Sequence, residues 1–202
     1  MELEDIVESY IREFRAAECD ELDWHGHQSS LAAAIEVAAM ADYRGKRHSH
    51  QQRFQRITLE RGRDALLQVK PGIKGARSFD ELHSLIEARV LPIKGIGELY
   101  IYDTAVRIGV KLNLLPDKVY LHRGTRQGAR QLGLSGAGPL KLRELPSEFG
   151  RMEAHEIEDI LCIFRDCFGG AGEATSKVAE GRSCRSPKRH SCRLKSTRQG
   201  RL

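Results

Sequence analysis

Two glycines bracket one aliphatic residue in Leu91-Pro-Ile-Lys-Gly-Ile-Gly-Glu98, and the chemistry open to this stretch is the binding of an anion. Glycine has no Cβ and takes positive φ readily, so backbone N–H groups along Lys94, Gly95, Ile96 and Gly97 can come close to a ligand. A helical pattern starts at Glu98 and aims its positive end at the same place. A phosphate is the natural guest. Two basic stretches could extend the contact. The first runs over residues 44–56 and carries Arg44, Lys46, Arg47, Arg53 and Arg56 with His48, His50, three Gln and Phe54, a mixture suited to phosphates and base edges. In the second, Arg123, Arg126 and Arg130 recur at three- and four-residue steps, so on a helix they share one face and reach successive phosphates. The plainer reading of both stretches is a solvated basic surface.

Histidine and cysteine offer a different chemistry. In an extended segment, His25 and His27 would face the same side with Asp20, Asp23 or Cys19 nearby, a set able to hold a metal. The plainer reading of residues 19–27 is a polar loop anchored by Trp24, and the expectation is no metal. A metal-dependent enzyme using His25, His27, His48 and His50 stands as the rival class. The five cysteines include no CxxC pair and read as free thiols, and Cys184, His190 and Cys192 fit no common zinc module.

The elements that must position these residues are helical. Leu3, Ile6, Val7, Tyr10, Ile11 and Phe14 form an amphipathic stripe. Ser29 and Ser30 can cap an alanine-rich helix over 31–42. Helices are expected over 58–69 and 79–90, separated by Pro71 and Gly72, the second opened by a Ser78/Glu81 capping box. Further helices are expected over 98–112, over 119–132, and from a cap at Ser147 through the stripe Ile157, Ile160, Leu161, Phe164 and Phe168. Gly124 and Gly128 would give the 119–132 helix a flat track for a neighbouring helix or a phosphate backbone.

Charge divides the chain. Residues 169–202 carry nine Lys or Arg against Glu173 and Glu180, a net +7, which leaves −2 on residues 1–168 out of the total of +5. A nucleic-acid contact in the body must therefore be a local patch, with the tail adding salt-sensitive, non-specific attraction. The tail has few large apolar residues and is expected to be disordered. No apolar run suits a membrane span, and the acidic start, Met-Glu-Leu-Glu-Asp5, is unlike a signal peptide, so a cytoplasmic protein is expected.

Over about residues 80–133 the chain resembles the helix-hairpin-helix superfamily of base-excision DNA glycosylases. The resemblance rests on Gly95-Ile96-Gly97 between two helical patterns and on Asp117, twenty residues after Gly97. It implies a hairpin (about 80–112) that binds a phosphate of double-stranded DNA, often through a monovalent cation. It also implies a catalytic role for Asp117 in releasing a flipped base. Leu99 stands where bifunctional members carry a lysine, so no lyase step is implied. Ile101 stands where a small residue is usual, and Pro116-Asp-Lys-Val-Tyr-Leu-His122 replaces a Val-Asp-Thr-His-like sequence. A shifted alignment puts Tyr120 in place of the acid, and the four-cysteine iron–sulfur loop of some members is absent. The expectation is an all-α, multi-helix domain over 1–168 containing a helix-hairpin-helix, followed by a disordered basic tail. Its expected work is DNA binding, as a glycosylase-like repair enzyme or as a non-catalytic scaffold module.

Overall fold

The structure, a computed structural model, describes residues 2–48, 51–134 and 138–168, so the expected tail over 169–202 lies outside the described residues. Helix α1, Leu3–Glu13, buries Ile6, Val7 and Tyr10. Phe14 then closes α1 and opens α2, Arg15–Gly26. The loop expected over 19–27 is thus part of a helix. The inward face of α2 carries Glu18, Glu21, Leu22 and His25 at three- and four-residue steps, so a search for an apolar stripe passes over it.

Helix α3, Leu31–Ala39, is capped by the Ser30 hydroxyl, which accepts the Ala33 N–H at 3.1 Å. It buries Ala34, Ile35, Ala38 and Ala39. The basic stretch opens with a small antiparallel hairpin, β1 (Asp42–Tyr43) paired with β2 (Lys46–Arg47). Its turn residues Arg44 and Gly45 both have positive φ, 51° and 78°, as a tight two-residue hairpin turn requires. Helix α4, Arg56–Gln68, is followed by a short helix α5, Lys70–Gly75, where a break was expected. Pro71 lies in its first turn, where its missing N–H costs no hydrogen bond. Helices α6, Phe79–Val90, and α7, Glu98–Leu112, have the expected bounds, and α7 ends at Asn113 in the left-handed conformation.

The expected helix over 119–132 begins later. Residues 118–119 form β3 (Lys118–Val119), paired antiparallel with β4 (Leu140–Lys141). The β-branched and aromatic pair Val119-Tyr120 favours extended chain. His122 then caps α8, Arg123–Gln131, with its backbone N–H donated to the Thr125 hydroxyl at 2.7 Å. At the C-terminal end, residues 147–149 make a single 3-10 turn. Helix α9, Ala154–Ile163, starts from Glu153, whose N–H is accepted by the Glu156 carboxylate at 2.9 Å, and not from the expected cap at Ser147.

Among the described residues the fold is mostly helical, with two apolar cores. The larger lies among α2 to α7 and includes Ile35, Leu59, Leu66, Leu82, Ile86 and Ile108. The smaller is built from α1, β3, β4, α8 and α9 around Tyr10, Val119, Phe149, Ile157 and Leu161. The chain starts in the smaller core, builds the larger one, and returns. Among the described residues no helix is long and apolar enough to cross a membrane.

Candidate nucleic-acid interface

The turn between α6 and α7 is fixed from below and open above. The Ile96 N–H donates to the Ile93 carbonyl at 3.1 Å, with Gly95 at φ 98° in the third position of the turn, where a Cβ would be strained. Ile96 itself is buried in the larger core, whereas Lys94, Gly95 and Gly97 are exposed. Gly97 is the N-cap of α7 and supplies no capping side chain, so the first-turn N–H groups of the helix are left to an outside acceptor. A Cβ at Gly97 would meet nothing within 4 Å.

A groove of about 580 Å³ runs past this turn along the seam between the two cores. One wall is Arg53, Phe54 and the turn with the start of α7. The other is the start of α8, including Arg123 and Gln127, with Cys162 near the end of α9 and Arg165 just past it. Arg53, Arg123 and Arg165 are all exposed. The Arg53 guanidinium lies over the Phe54 ring, 5.7 Å from its centroid, which orients it. Arg165 has Asp166 at 3.5 Å, an exposed neighbour that solvent screens. Glu98, the acid at the mouth of the groove, is paired with Arg126.

That pairing changes the part played by Arg126. Its Nη2 binds Glu98 and its Nη1 donates to the Leu121 carbonyl at 2.7 Å, so it ties α8 to the start of α7. Arg130 is exposed and lies outside the groove lining. The stretch 44–56 disperses in the same way. Arg44 pairs with Asp20 at 3.0 Å and lies over Tyr43, Lys46 sits exposed on the small hairpin, and Arg56 pairs with Glu60 at 2.8 Å. Arg47 donates to the Phe54 carbonyl at 2.9 Å and so braces the loop that presents Arg53. Asp117 is exposed ahead of β3 and lines neither the groove nor the pocket beside it, and it is not the cap of α8. The Gly124 and Gly128 track receives α9, since a Cβ on Gly128 would fall 2.1 Å from the Leu161 carbonyl oxygen. His27 is exposed, His25 and His48 meet Glu21 away from the groove, and His50 lies outside the described residues.

A smaller pocket of about 110 Å³ adjoins the groove and shares Glu98 and His122 with it. Its wall is aromatic, with His83 and Tyr120 4.7 Å apart and Tyr102 and Tyr120 5.7 Å apart between centroids. Tyr120 donates its hydroxyl to Asp80, which also receives the Lys118 ammonium at 2.5 Å. Burial and that carboxylate push the Tyr120 phenol well above its ordinary pKa, so it remains a donor. His122 joins the groove to the interior. Its Nδ1 accepts the Gly124 N–H at 3.2 Å, which leaves Nε2–H to face the buried Glu158 carboxyl.

Sequence reasoning missed His122, Gln127 and Arg165 as neighbours of the turn. No local pattern links them to residues 95–97, and only the meeting of the two cores brings them there. No protein-family model, curated protein or solved structure matches the chain.

Proposed function

We propose that this chain binds double-stranded DNA through its backbone phosphates, with α6, the 91–97 turn and α7 acting as a helix-hairpin-helix. One observation carries the reading. The exposed turn glycines and the uncapped start of α7 open into the same groove as Arg53, Arg123 and Arg165, which belong to three different segments. Backbone N–H groups fix one phosphate and guanidinium groups take its neighbours, a mode that positions a duplex without reading its sequence. The monovalent cation implied by the family resemblance would rest on turn carbonyls. Those of Ile93 and Gly97 each accept one N–H and keep a second lone pair. The binding reading stands on the N–H groups and arginines without that cation. It gives Asp117 no part in bond cleavage, because Asp117 is outside the groove.

Duplex affinity of the full chain, measured across a range of salt concentrations, tests this. Arg53→Gln, Arg123→Gln and Arg165→Gln should each weaken binding and lower the slope of log affinity against log salt by about 1. Gly97→Ala is a probe of close approach, because its methyl meets nothing in the fold. It should weaken duplex binding by more than the small stability loss of an alanine N-cap accounts for, and Asp117→Asn should bind like the parent. Parental affinity and salt slope in Gly97→Ala and in the triple arginine variant would refute the proposal.

A further inference from the structure

We propose that Glu21, His25 and His48 bind one divalent transition-metal ion, of the zinc, iron(II) or manganese(II) class, at the edge of a carboxylate-lined cavity between α2, α7 and α9. The three residues bring ligand atoms within 4.8 Å of one another. Glu21 and His25 stand one turn apart on α2, with their oxygen and nitrogen 4.0 Å apart, and His48, just past β2, is 3.0 Å from the same carboxylate oxygen. Tetrahedral ligands at about 2.0 Å from zinc are about 3.3 Å from each other, so small side-chain rotations close the set. Two imidazoles and one carboxylate suit borderline ions better than calcium or magnesium, which prefer all-oxygen shells.

A second observation points to the same place. His25 has no exposed surface, and neither of its ring nitrogens has a hydrogen-bond partner. A buried polar group of that kind is costly unless something engages it. The rings are held ready, with His25 edge-on to Trp24 at 4.9 Å and His48 stacked on Tyr43 at 6.3 Å between centroids. Beside them lies a cavity of about 80 Å³, large enough for metal-bound water. Glu18, Glu21, Asp103, Glu158 and Asp159 line it against a single lining guanidinium, Arg107. Arg107 reaches Glu21 at 3.3 Å but is also held by Gln51 at 3.1 Å, so the Glu21 carboxylate keeps capacity for a metal. Burial, reinforced by neighbouring carboxylates, keeps Glu18, Glu158 and Asp159 well above the ordinary carboxyl range, so they favour the neutral form and can donate hydrogen bonds to a metal-bound water in the cavity.

The full chain, stripped with a chelator and refilled with cobalt(II) or zinc(II), tests the site. One equivalent should bind, raise the thermal midpoint, and give a cobalt spectrum with ligand-field bands but no thiolate charge-transfer band, which separates this site from the tail cysteines. His25→Gln and His48→Gln should each weaken binding by more than about tenfold. If either variant fails to fold, NMR of the wild type decides, because zinc should shift the ring nitrogens of His25 and His48. The proposal is overturned if no metal is retained, if uptake follows Cys184 and Cys192 instead, or if both imidazoles are unmoved by zinc.

Discussion

His83 packs between Phe79 and Tyr120, and burial holds its imidazole below the ordinary pKa although Glu87 and Asp80 pull the other way. The unfolded chain takes up that proton near pH 6.5, whereas the folded chain does so only at lower pH. Below about pH 6.5 the unfolded state therefore binds more protons, and stability falls as pH falls. His83→Gln removes this component. The stability advantage of wild type over the variant, measured by urea unfolding, should shrink between about pH 7.5 and pH 5. A constant difference would mean that His83 titrates alike in both states. At this scale the sequence is informative where chemistry is local: Ser30 and Ser78 cap their helices as expected, and Gly95 takes the positive φ that its turn needs. It is uninformative about which arginines are free. Arg126 carries the same spacing signal as Arg123, yet it is taken up by Glu98, 28 residues earlier in the chain.

Among the elements, α8 comes closest to α9 at Gly128. A methyl group there would collide with the Leu161 backbone, which cannot swing aside as a side chain can. Gly128→Ala should cost about 1–3 kcal/mol in stability, read as a lower urea midpoint, and loosen the wall that carries Arg123 and Gln127. Unchanged stability would show that the two helices separate freely. The glycine pair was visible in sequence as a track, but its occupant was not, since α9 lies some thirty residues on. Helix α2 was hidden for a related reason. Helices α6 and α7 bury apolar stripes, which periodicity detects, whereas α2 turns acids and a histidine inward, and their burial follows from partners on α7 and α9. Pairing His25 with His27 assumed extended chain, while the helix pairs it with Glu21, a Glu-x-x-x-His spacing present in the sequence throughout.

Across the whole molecule, the two cores meet along one seam, and both the groove and the polar cavity lie on it. Helix α1 belongs to the smaller core, where the Tyr10 hydroxyl donates to Asp159 at 3.0 Å and Arg151 reaches Glu4 and Glu8 at 2.7 Å. Removal of residues 1–13 should therefore expose the amides of α8 and α9 to hydrogen exchange while α4, α6 and α7 stay protected. Uniform loss of protection would mean that the two cores unfold as one unit. The same arrangement sets an order on biosynthesis. Helix α1 is synthesised well before its partner Asp159, which follows Tyr10 by 149 residues. A chain paused anywhere short of α9 carries an amphipathic N-terminal helix with its apolar stripe uncovered, and nascent-chain chaperones have their clearest target there.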